Sequence, residues 1–132
     1  MIDKILRRLD YIEIGKFLFG GGSAVFTDFV AYYFLKQYID VSLAKTISYI
    51  IGATVGFVIN KNWTFNSRGF SLIEVIKYVL LYLCSAFANT IVNKVVLLMS
   101  GYILLAFFCA TGFSTIINYL GQKFFVFRKD SI

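Results

Sequence analysis

The chain has 132 residues, 59% hydrophobic and only 15% charged, with a mean hydropathy of +0.78; a soluble domain of this size needs more polar surface than that composition supplies. The absence of histidine removes an imidazole base or metal ligand, and the net charge of +6 lies between and beside apolar segments, where it reads as membrane topology and attraction to anionic lipid head groups rather than as a nucleic-acid surface. These limits leave an all-α integral membrane protein in a single domain, with room for four helices of the roughly 20 apolar residues that a bilayer demands.

Residues 2–13 carry a helical period, with Ile2, Ile5, Leu6, Leu9 and Ile12 on one face and Asp3, Lys4, Arg7, Arg8 and Asp10 on the other. This predicts a short amphipathic helix lying in the membrane interface. The same stretch is too charged, and lacks the small-residue cleavage site, for a removable signal sequence. Span one is expected from about Phe17 to Tyr38, interrupted by Asp28 and Lys36. Span two follows from Val41 to Ile59 and leads into NKNWTF, whose Trp63 and Phe65 suit an interfacial aromatic belt. Asn66–Ser71 (NSRGFS) is the clearest polar connection. Span three is expected from Leu72 to Met99, Ser100-Gly101 makes a turn, and span four runs from Tyr102 to Leu120 before the belt residues Phe124, Phe125 and Phe127. The lack of proline fits uninterrupted helices, which satisfy their own backbone in oil. Cys84 and Cys109 sit in apolar runs without a CxxC spacing and read as small apolar filler. Gly20-Gly21-Gly22 lacks the Lys-Ser/Thr and the strand of a phosphate loop, so close helix packing or local flexibility is the better account.

The cations set the orientation. Lys4, Arg7, Arg8 and Lys16 flank the start, Lys61, Arg68 and Lys77 the middle, and Lys123, Arg128 and Lys129 the end, leaving only Lys36, Lys45 and Lys94 for the other side or for greater depth. Both termini are therefore expected to be cytoplasmic. The two halves also repeat. Lys16-Phe17 answers Lys77-Tyr78, and Asp28 answers Asn89. Ala44, Ser48, Gly52 and Gly56 answer Ala106, Ala110, Ser114 and Asn118, while Lys61, Trp63 and Phe65 answer Lys123, Phe125 and Phe127. Repeat one covers about 14–66 and repeat two about 72–128, each a pair of spans, so that the repeats insert in parallel. The small residues at every fourth position allow close helix approach.

In this order and duplication, KFLFGGGSAVFTD and GFVINKNWTF, repeated as KYVLLYLCSAFAN and NYLGQKFFVF, resemble the GtrA-like family of small bacterial membrane proteins. The resemblance covers about residues 14–128. It implies the flipping of a polyprenyl-phosphate-linked monosaccharide, such as undecaprenyl-phosphate glucose, across the bacterial cytoplasmic membrane for surface polysaccharide or glycan modification. It also implies a membrane glycosyltransferase as partner in the pathway. The family closes both halves with an Asn-aromatic pair; here the second half keeps Asn118-Tyr119, whereas the first has Gly56-Phe57 with Asn60 one turn later.

Such a cargo has a tail that stays in lipid and a head group whose phosphate and hydroxyls lose water on crossing, so polar partners must line a helix face. Asp28, near the expected midplane, is the sharpest candidate, either as a ligand or as a structural pair with a cation such as Lys94. Asn89, Asn93 and Asn118 are candidates for a polar lining, or else interhelical packing glue. Lys94 is a further candidate, or else snorkels outward. Lys16 and Lys77 at matched entrances, and Lys61 and Lys123 at matched exits, are placed for a phosphate, with Asn60 beside them, although topology alone accounts for all four lysines. No cofactor, metal site or enzyme site is expected, since no Ser–His–Asp set exists and no paired acids share a predicted face. Four helices enclose a thin path, which predicts a homo-oligomer among membrane lipids. Two other functions fit the same spans: a small-cation or drug exporter built on Asp28, and a non-transporting subunit of a glycosyltransferase.

Overall fold

The computed structural model describes residues 10–67, 69 and 71–127, and among these every regular element is a helix. The interfacial helix expected over 2–13 lies, apart from its last residues, outside them, as do Arg68, Arg128 and Lys129. The chain divides into two compact units, Met1–Arg68 and Gly69–Ile132, so the boundary falls in the polar connection between the repeats.

In the first unit, α1 spans Tyr11–Leu35 and α2 spans Val41–Ile59, and the two pack as a hairpin. Asp10 caps α1 by accepting the Ile12 N–H at 2.9 Å, and Glu13 in the first turn favours the helix dipole. The helix thus starts a turn and a half before the expected Phe17, because the Asp10 cap sets its first turn. A tight turn from Lys36 leads to Asp40, whose carboxylate accepts the N–H groups of Ser42 and Leu43 at 3.1 and 3.3 Å and starts α2. Ala44, Ser48, Gly52 and Gly56 form the buried stripe of α2. At Gly52 the helices nearly touch: a Cβ there would stand 2.5 Å from the Ala24 carbonyl oxygen and 2.9 Å from the Asp28 Cβ.

The second unit has the same design. Ser71 caps α3, which spans Leu72–Ser100 and ends at Gly101 with φ of +75°, where the Gly101 N–H closes on the Leu97 carbonyl at 2.8 Å. α4 spans Ile103–Gly121 and packs on α3 through Ala106 and Ala110. In both units the second helix continues into a π-helical turn, Asn60–Thr64 and Gln122–Val126, each closed by a wide bond to its first carbonyl (Phe65 N–H to Asn60 O and Phe127 N–H to Gln122 O, both 2.8 Å). NKNWTF and QKFFVF are therefore part of their spans rather than tails after them.

Large apolar side chains face outward, among them Phe26, Phe29, Leu83, Phe87, Leu98 and Phe108. Outward hydroxyls are satisfied by their own helix: Thr54 by Ile50 O and Thr90 by Ala86 O, at 2.8 and 3.0 Å. An apolar exterior with internally paired polar groups is the surface of a protein solvated by lipid. All four helices, with their π turns, are long and apolar enough to span a bilayer.

Candidate functional site

The first unit holds a carboxylate–ammonium pair near the 36–40 turn. Asp28 and Tyr32 share a face of α1, and Lys45, Ser48 and Tyr49 share a face of α2, by the helical spacing of three and four. Lys45 Nζ donates to both oxygens of Asp28, at 2.9 and 2.7 Å, and Ser48 Oγ donates to Oδ1 at 2.7 Å. The Lys45 ammonium also lies 5.8 and 5.9 Å from the ring centres of Tyr32 and Tyr49. Lys36 stands over Tyr33 at 4.0 Å and reaches the Tyr32 ring at 5.8 Å. The pair is unevenly covered: the Asp28 side chain is 18% exposed, that of Lys45 55%. An ionised carboxylate in a lipid-embedded helix needs such partners.

Asp28 thus pairs with Lys45 of its own hairpin, where the sequence suggested a cation such as Lys94. It also lies off-centre, about 10 Å from the Leu35 end of α1 and about 25 Å from the Tyr11 end at 1.5 Å per residue. The midplane expectation followed from starting the span at Phe17. Lys45 was absent from the candidates. Its signal is a lone cation in the apolar run of span two, five residues past the helix cap Asp40.

In the second unit the equivalent place is uncharged. Asn89 Nδ2 donates to Ser114 Oγ at 3.1 Å, and Ser85 Oγ donates to the Ser114 carbonyl at 3.2 Å. Phe107 and Ala110 stand where the first unit has Lys45 and Ser48. Asn93 is half-buried and Lys94 exposed, and neither side chain makes a hydrogen bond among the described residues. Asn118 does not join Asn89 or Asn93: its Oδ1 is buried without a partner, as are both amide atoms of the fully buried Gln122.

The opposite ends of the hairpins match closely. Lys16 lies 5.3 Å over the Trp63 ring, and its counterpart Lys77 lies 5.1 Å over Phe125. Phe19 meets Trp63 edge-on at 5.4 Å. Lys61 is buried and donates to Ser67 Oγ at 3.3 Å, whereas Lys123 is half-buried beside the Tyr119 hydroxyl at 3.5 Å and near the Phe124 ring. Asn60 is buried with its Oδ1 accepting from Thr64 Oγ1 at 2.8 Å, and it fits only because residue 20 is glycine: a Cβ there would stand 2.5 Å from that oxygen. The first unit therefore carries ammonium groups at both ends of one hairpin, Lys16 and Lys45.

A multi-pass membrane protein made of two duplicated helical hairpins, with polar groups held inside otherwise apolar spans, is the class these features define. The model of the GtrA/DPMS transmembrane domain matches residues 16–127, and the chain belongs to that family. Membership links the protein to lipid-linked sugar processes, and the family is in general a non-enzymatic membrane module.

Proposed function

We propose that the protein flips a polyprenyl-phosphate-linked monosaccharide, undecaprenyl-phosphate glucose or a relative, across the bacterial cytoplasmic membrane. Both termini lie in the cytoplasm, and a membrane glycosyltransferase supplies the cargo. The observation that carries this reading is the Asp28–Lys45–Ser48 cluster inside a hairpin whose exterior is oil-facing. The cargo's head group presents one anionic phosphate and several hydroxyls. An ammonium neutralises the first, a carboxylate and amides accept from the second, and tyrosine rings offer flat apolar faces to a sugar. Lys16 and Lys77, each backed by a ring, receive phosphate at the other interface, and Asn89, Asn93, Lys94, Asn118, Asn60, Lys61 and Lys123 are the remaining candidates along the path. The protein works as a homo-oligomer, since one four-helix chain encloses little space.

A carboxylate already neutralised by Lys45 is a poor cation trap, which counts against a cation exporter. The test is a leaflet-sidedness assay of polyprenyl-phosphoryl sugars in vesicles holding the full chain. The wild type is expected to equilibrate the cargo between leaflets, and Asp28→Ala to slow this by about tenfold or more, because it strands the Lys45 charge. Movement no faster than in protein-free vesicles would defeat the proposal. Asp28-dependent cation export would favour the exporter. Loss of lipid-linked sugar synthesis on deletion in cells, without its accumulation on the inner leaflet, would favour the glycosyltransferase subunit.

A further inference from the structure

Lys45 and Asp28 are bound to each other but are not equally anchored. Ser48 is fully buried, and its hydroxyl, which also reaches the Lys45 carbonyl at 3.0 Å, stands 2.7 Å from Asp28 Oδ1, so the carboxylate keeps a donor if the lysine leaves. Lys45 has the more exposed side chain, a flexible four-carbon stem and three donors, and two tyrosine rings flank its head. The Tyr32 ring serves Lys36 as well, at the same 5.8 Å, so a second ammonium group stands at this mouth. Splitting an ion pair in lipid is costly when either charge is left alone. Exchanging one anion for another around a mobile ammonium lowers that cost, because the ammonium is never bare and the carboxylate left behind keeps the Ser48 hydroxyl and gains donors from the arriving head group.

We propose that Lys45 is an exchangeable phosphate ligand: a lipid phosphate draws its ammonium away from Asp28, and Asp28 reclaims it when the phosphate departs. This rests on the flippase reading for the source of the phosphate. While Lys45 is engaged, Asp28 keeps the Ser48 hydroxyl and accepts from hydroxyls of the arriving head group. The second repeat lacks the equivalent pair, since Phe107 and Ala110 replace Lys45 and Ser48 there. Asp28 is then a release element, and removing its charge should tighten phosphate binding while slowing transport. A purely structural pair predicts no such opposition.

The experiment is equilibrium binding to the purified full chain in detergent, using a short-chain polyprenyl phosphate, the polyprenol of equal length, phosphatidylglycerol and inorganic phosphate. The wild type is expected to prefer the polyprenyl phosphate over the alcohol by about tenfold. Lys45→Gln should reduce that preference to about twofold or less, Lys45→Arg should keep it, and Asp28→Asn should raise phosphate affinity by about threefold or more. If Lys45→Gln fails to fold, Asp28→Asn/Lys45→Gln supplies a neutral pair of the same shape, expected to lack the preference. An unchanged or lowered affinity in Asp28→Asn, or a Lys45→Gln protein that still discriminates, overturns the exchange. Equal Lys45-dependent binding of phosphatidylglycerol or inorganic phosphate overturns its assignment to the cargo. Lys45-dependent binding without transbilayer movement leaves the phosphate site standing and removes the flippase reading instead.

Discussion

Asp28 and Asn89 occupy equivalent places in two hairpins of one design, and their surroundings have parted. Around Asp28 the partner helix offers Lys45, Ser48 and a glycine at 52 that lets the backbones nearly touch. Around Asn89 it offers Ser114 in the place of that glycine, and Phe107 and Ala110 in place of the charged and hydroxyl partners. The other ends have stayed alike, lysine over ring in both. Two hairpins of one design can thus keep the same interfacial anchors while only one of them holds the charged pair. Packing has diverged in the same reciprocal way: Gly20 faces Ile59 and Asn60 in the first unit, whereas Leu81 faces Gly121 in the second, with large and small exchanged between the helices.

The sharpest way to break this comparison is at its tightest point. Gly52→Leu drives a side chain into the Ala24 carbonyl oxygen, which cannot move without parting α1 from α2; a loss of more than about 3 kcal/mol is expected, read as failure to yield a monodisperse, thermally stable protein in detergent. The equivalent change Ser114→Gly should cost only about 1–2 kcal/mol, from one interhelical hydrogen bond and added backbone freedom. Next in size is the Gly20 contact. Gly20→Leu should lower the melting point by the equivalent of about 1–3 kcal/mol, and adding Ile59→Gly, which copies the arrangement of the second unit, should recover part of the loss. The buried amides should respond with opposite signs. Thr64→Val strands the Asn60 oxygen and costs about 1 kcal/mol, whereas Gln122→Met removes an amide that has no partner and should leave the melting point unchanged or higher. The smallest effect is at the rings: Lys16→Gln should cost about 0.5 kcal/mol and shift the fluorescence of Trp63, the single tryptophan.

Much of this was legible in the sequence because lipid imposes a simple rule on composition. The second, third and fourth spans start within a residue of expectation, and the third also ends there, whereas the second and fourth run on through their π-helical turns to Thr64 and Val126. The repeat correspondences that matched Lys16 with Lys77, and Trp63 with Phe125, are met by the same contact in each unit. The partner of Asp28 was not legible. Which of three leftover lysines faces a carboxylate depends on the crossing of α1 and α2, and that crossing is set by the backbone approach at Gly52 rather than by any charge pattern. The π-helical turns escaped for a related reason: one extra residue in a helical turn leaves hydrophobicity unchanged and appears only in the hydrogen-bond register.

The exchange of large and small between Gly20–Ile59 and Leu81–Gly121 has a consequence for biogenesis. Four similar helices entering a membrane in succession can choose wrong neighbours. A first helix docked on the fourth would set glycine against glycine and leave a hole; a third docked on the second would force leucine against isoleucine. Each helix therefore carries a steric password for its own mate, and the likeness of the two hairpins need not bring promiscuous assembly with it.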